Sequence, residues 1–181
     1  MRINFYALRA IYFHEMDRFR RTLIQSLLSP VLSTSLYFIV FGSVIGDYVQ
    51  KIDGISYGSY IVPGLLMLTL LTQSISNTSF GIFFPKFNGT IYEILAAPIS
   101  TVEIVIAYVG AGATKTLIVA AVIFCTSLFF AEVNVKFPLL MIFLLILVAF
   151  TFALFGFLIG LLSKNFEQMS IIPTIVITPM V

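Results

Sequence analysis

Apolar runs of membrane-spanning length alternate along this chain with short polar segments. The first covers about Thr22 to Gly46, more than the ~20 residues a helix needs to cross the hydrocarbon, and Pro30 inside it predicts a kink. Further runs follow at about 59–84, 104–130 and 139–162. A fifth starts at Met169 and stops with the sequence at Val181; as a helix it would reach only about 20 Å, so the native chain is expected to continue. Between the runs, Asp47 to Tyr57 reads as a tight loop with Gly46, Gly54 and Gly58 as breakers, and Ala131 to Pro138 as a second. The pattern predicts an all-α polytopic membrane protein. Its parts are an N-terminal amphipathic interfacial helix, four complete transmembrane helices, a truncated fifth, and a short helix between spans 2 and 3.

That short helix lies in the stretch from Pro85 to Glu103, too polar and too short to cross a membrane. Thr90 stands three residues before Glu93, the spacing at which two side chains can cap each other's backbone N–H groups. Ile91, Ile94 and Leu95 then fall on one face. Pro98 disfavours helix at Ala97 and closes the element after about two turns. Ser100 and Glu103 repeat the capping spacing just before the third apolar run. A capped amphipathic helix of this kind can lie on lipid or press into a groove on a partner.

Polar positions inside the spans form a second pattern. Thr69, Gln73, Ser76, Asn77 and Phe80 recur at helical spacing in the second span, widened by Thr72 and Ser79. Such side chains turn toward other helices or a water-filled cavity, so interhelical bonding and a pathway lining stand as equal readings. Lys115 is the one charge well inside a span. It is a candidate functional site by default, set against an ammonium that simply reaches the headgroups. Gly110 to Ala113 and the Gly156/Gly160 pair are read as close-packing faces.

Composition strengthens the membrane assignment. Hydrophobic residues make up 60% and charged residues 10%, with mean hydropathy +1.08; a soluble domain carries about 25% charged residues. The single cysteine, Cys125, supports neither a disulfide framework nor a metal cluster and reads as a small buried hydrophobe. The net charge of +2 says little by itself, and no nucleic-acid partner is expected. Arg2, Arg9, Arg18, Arg20 and Arg21 cluster at the N-terminus against Glu15 and Asp17, too long and mixed a region for a signal peptide. There Ile3, Ala7, Ala10, Ile11 and His14 share one helical face, with Arg2, Arg9 and Glu15 largely elsewhere, and His14 is given no role. With these arginines, Lys86 and Lys164 on one side and Lys51 and Lys136 on the other, the N-terminus is predicted to be cytoplasmic.

Catalytic motifs are missing from the sequence: it has no H-E-x-x-H, no G-x-S-x-G and no Walker lysine. Uphill transport would therefore draw on a nucleotide-hydrolysing partner or on an ion gradient. The capped loop helix favours the partner. An ion-coupled carrier titrating Lys115 is the alternative, and a non-transporting scaffold is the third reading.

In order and spacing, Tyr60-Ile-Val-Pro63-Gly64, Thr72-Gln73-Ser-Ile-Ser-Asn77-Thr78-Ser79, Phe87-Asn-Gly89-Thr90-Ile-Tyr-Glu93-Ile-Leu95-Ala-Ala-Pro98, Tyr108-Val-Gly110 and Ile172-Pro173-Thr174 resemble ABC-2 type transporter permeases. The resemblance covers nearly the whole chain and treats residues 1–181 as one transmembrane domain. It implies a six-span export permease of the inner (cytoplasmic) membrane that forms a homodimer and binds two separate ATPase subunits. ATP and Mg would sit on those partners and no cofactor on this chain. It also implies that residues 90–97 form the coupling helix, with Phe87, Gly89, Thr90, Ile91, Glu93, Ile94, Leu95 and Pro98 as coupling residues. Two departures stand out: Pro85 and Lys86 replace a basic pair common in relatives, and Lys115 falls where relatives often carry a basic residue.

Overall fold

The computed structural model describes residues 4–45, 56–131, 133 and 135–177. The helices are α1 (Phe5–Arg21), α2 (Leu23–Tyr37), α3 (Tyr57–Asn88), α4 (Ile91–Ala96), α5 (Thr101–Ser127), α6 (Pro138–Leu162) and α7 (Phe166–Ile177). A π-helical segment, Phe38–Ile45, prolongs α2. Four segments are long and apolar enough to cross a membrane: Leu23–Phe41, Tyr57–Asn88, Thr101–Ser127 and Pro138–Leu162. The fifth apolar run forms α7. The expected breakers Gly46 and Gly54 lie outside the described residues, and Gly58 belongs to the first turn of α3.

Helix ends follow from local chemistry. The Ser56 hydroxyl accepts from the Ser59 N–H to start α3, and Pro138 opens α6, where its missing N–H costs nothing. Pro85 forgoes one helical hydrogen bond without ending α3. The helix stops at Gly89, whose φ of +81° is a left-handed conformation that glycine adopts without strain. At ~1.5 Å per residue, the 32 residues of α3 extend to about 48 Å, well beyond the hydrocarbon thickness.

The direction of neighbouring helices can be read from which residues meet. Asn4 meets Glu103, Tyr12 meets Thr114 and Glu15 meets Lys115. The offset stays near one hundred, so α1 runs parallel to α5. A Cβ placed on Gly156 would strike Ile75, and one on Gly160 would strike Ser79 and Ile82, which makes α6 parallel to α3. For α3 and α5 the order reverses, Gly112 meeting Thr78 and Gly81 meeting Tyr108. The spans α3, α5 and α6 therefore alternate in direction, as a chain threading a bilayer must.

Close backbone approach holds these layers together. A hypothetical Cβ would meet the backbone of Ile75 at Gly156 and of Ser79 at Gly160, and the Thr78 side chain at Gly112, so these glycines let α5 and α6 approach α3 closely. The expected packing faces are thus present. α5 is the central helix, burying Ala107, Ala111, Ala113, Val119 and Ile123. α6 turns Leu139, Leu140, Phe143 and Leu147 outward, as a lipid-facing helix should. Cys125 departs from expectation: it is exposed on the outside of α5, where lipid rather than protein would surround it.

Candidate functional site: a loop helix and a charged cavity

α4 follows α3 directly through the Gly89 turn. The expected cap at its start does not form. Thr90 has helical backbone angles (φ −66°, ψ −14°) and its hydroxyl donates to the Pro85 carbonyl at 3.3 Å; a capping side chain needs an extended backbone to fold over the first turn. Ser100 has that geometry (φ −80°, ψ 152°), and its box is complete: the Glu103 N–H donates to the Ser100 hydroxyl, and the Ser100 N–H to Glu103 Oε2. Glu103 Oε1 also accepts the Asn4 N–H at 2.5 Å, tying the start of α1 to the start of α5. Glu93 is exposed in the first turn of α4, where a negative charge suits the helix dipole. Ala97 is extended before Pro98, as the sequence predicts.

Ile91, Ile94 and Leu95 do not share one environment. Ile91 and Ile94 are half-buried against the protein's own core, whereas Leu95 is 58% exposed and Tyr92 72% exposed. The free apolar side of α4 is therefore Tyr92 and Leu95. Six helical residues give too few turns for periodicity to fix the inward side. Phe87, 60% exposed, meets Phe166 at the start of α7 edge-to-face (4.8 Å between ring centres), and Phe83 meets the same ring edge-to-face at 4.9 Å. Beside them the Lys86 ammonium donates to the carbonyls of Leu161 (2.5 Å) and Ser163 (2.8 Å) at the end of α6. Those carbonyls lack helical partners, and a cation there complements the helix dipole. Where the resemblance leads one to expect a basic pair, this chain uses Lys86 to clamp α3 to α6.

Lys115 neither reaches the headgroups nor stands alone. Its ammonium donates to Glu15 Oε2 at 2.7 Å, and Arg18 reaches the same oxygen at 2.8 Å. Glu15 is 2% exposed, although helical periodicity assigns it to the outer side of α1. The inward side of α1 is instead formed by Ile11, Tyr12, Glu15 and Phe19, while His14 and Ala10 face out. The error has a plain cause: a carboxylate looks like a surface residue until its cation, one hundred positions away, is brought to it. Phe5, Tyr6, Phe13 and Arg9 remain exposed on α1, with Arg9 over the Phe13 ring, an outer face suited to a lipid headgroup layer.

Arg18 and Lys115 both border a cavity of about 830 Å³ between α1, α2, α3, α5 and α7. Ser26 of α2, Thr72, Ser76 and Asn77 of α3, and Ser170 of α7 add polar groups to its wall. A smaller recess of about 240 Å³ continues along α2 and α3, lined by Ser29, Ser33, Thr69 and Gln73 among others. Thr69 and Thr72 bond back to the Leu65 and Leu68 carbonyls, and the Asn77 amide donates to Gln73 Oε1 at 3.4 Å. The polar band of the second span thus borders open space and bonds within its own helix. Its counterpart on α2, Thr22, Ser26, Ser29 and Ser33 at spacings of four, three and four, is visible in the sequence, but hydroxyls that can satisfy themselves on the helix backbone do not stand out in an apolar run.

Membrane-length helices of alternating direction around a polar cavity define a multi-pass membrane protein. The chain belongs to the ABC-2 type transporter family, whose model matches residues 6–181, and it is accordingly a permease-type membrane subunit. Over 180 residues it is 38% identical to the inner membrane transport permease YadH of Escherichia coli strain K12, an alignment covering 99% of this chain and 70% of that protein. The protein of the same name in Shigella flexneri aligns with the same identity and coverage. No solved structure matches the chain.

Proposed function

We propose that the chain is the membrane subunit of an ABC exporter in the inner membrane, driven by ATP hydrolysed on a separate ATPase subunit and working as a homodimer with its N-terminus in the cytoplasm. The observation that carries this reading is α4, a short helix whose inner side is fixed by Ile91 and Ile94 and whose outer side leaves Tyr92 and Leu95 uncovered. ATP and Mg belong to the partner. Closure of two ATPases would move α4, and the Gly89 turn and the Ser100–Glu103 cap would pass that motion to α3 and α5. The polar band of Thr69, Gln73, Ser76 and Asn77 would line the route. A carrier using Lys115 as its titrating group is less well supported, since that lysine is already engaged by Glu15.

The test is co-purification of the full-length protein from native membranes in mild detergent. An ATPase bearing G-x-x-x-x-G-K-[ST] is expected to accompany the wild type and to be lost from Leu95→Asp, with the thermal stability of the permease unchanged. Ile94→Asp is the wrong probe, because it would place a charge against the protein's own core. Retention of the ATPase by Leu95→Asp and Tyr92→Asp alike would remove α4 as its docking element; absence of any ATPase from stable preparations would overturn the reading.

A further inference from the structure

The larger cavity carries a charge that its own walls do not balance. Arg18 and Lys115 line it, Glu15 lies behind them, and no carboxylate is among the described lining residues. Two cations sharing one carboxylate oxygen leave a surplus of one positive charge at the cavity wall, with Lys115 buried and Arg18 partly exposed. Lys115 commits one of its three N–H groups to Glu15. Arg18, 29% exposed, is held between Glu15 and the face of Phe80, its guanidinium carbon 5.7 Å from the ring centre. Its position is set by the protein while its fork of donors stays accessible from the cavity.

The remaining wall is divided. Thr72, Ser76 and Asn77 offer neutral hydrogen-bonding groups, whereas Leu68, Phe80, Met169 and Pro173 offer apolar surface. We propose that this cavity seats an anionic amphiphile: a phosphate or carboxylate head group at Arg18 and Lys115, with its apolar body along Leu68, Phe80 and Met169. Bidentate geometry suits Arg18 to either head group. A neutral amphiphile would leave the surplus charge unanswered, and a cationic one would add to it. This assignment rests on the transport reading and names its substrate class.

The experiment measures binding to the full-length protein in neutral detergent by native mass spectrometry, with three probes. Oleoyl-lysophosphatidate is expected to bind at least tenfold more tightly than oleoyl-lysophosphatidylcholine, and inorganic phosphate to compete only at far higher concentration. Arg18→Gln is expected to abolish the preference and Arg18→Lys to retain most of it. Equal binding of the two lysolipids by the wild type overturns the proposal even if Arg18→Gln fails to fold, as does an unchanged preference in a folded Arg18→Gln protein. Phosphate that matches lysophosphatidate in affinity overturns the amphiphile assignment. ATPase co-purification from the same preparations reads the transport proposal separately: a lost preference with the ATPase retained sinks only the cavity assignment, and a retained preference without the ATPase sinks only the transport reading.

Discussion

Glu15 holds two cations on one oxygen, and each of its neighbours depends on it differently. Removing the carboxylate leaves Lys115 buried without a partner among the described residues, whereas removing Lys115 leaves Glu15 still paired with Arg18. Breaking a buried pair from one side costs about 3–5 kcal/mol, and replacing both charges with packed apolar groups is often close to neutral. Glu15→Ala is therefore expected to destabilise the protein by about 3–5 kcal/mol, Lys115→Met by distinctly less, and Glu15→Met/Lys115→Met to recover most of the loss, as read by thermal unfolding in detergent. A double variant as unstable as Glu15→Ala would contradict this account. Lys115 was visible in the sequence as an anomaly, because a charge in an apolar run has no local excuse. Glu15 was not, because charged residues surround it in the chain.

Among the helices, glycine separates positions that look alike in sequence. Gly156 and Gly160 abut the backbone of α3, so Gly156→Ala or Gly160→Ala must push α6 outward, at a cost of about 1–3 kcal/mol. Gly64 has open space around it, and there Gly64→Ala should stabilise α3 by up to about 1 kcal/mol through helix propensity. Unfolding measurements on the three variants would check the order, and equal effects would refute the packing assignment. The G-x-x-x-G spacing suggested the contact in advance but could not say which helix it meets. The Ser100–Glu103 box was equally legible, since the extended backbone it needs follows Pro98. The Thr90–Glu93 box had the same spacing and failed, because the Gly89 turn delivers Thr90 already helical.

Across the whole molecule, the sequence defined the number and order of the spans, since run length against bilayer thickness is a strong constraint. Its lateral arrangement was not legible: nothing local indicates that α5 is central and α6 peripheral, except that α5 is rich in small residues and α6 in large ones. Cys125 reports on that arrangement. Exposed on the outer side of a spanning helix, the single cysteine should react with a membrane-permeant maleimide in intact membranes and resist a charged impermeant one. Labelling by both reagents would place α5 against water instead. The near-constant offset of one hundred between α1 and α5 also has a consequence in time. Ribosomes add roughly 5–20 residues per second, so Glu15 is synthesised about 5–20 s before Lys115 exists to receive it. During that interval the first helix must wait at the water boundary, unable to take its final seat, and it becomes part of the bundle only when the third span is threaded in beside it.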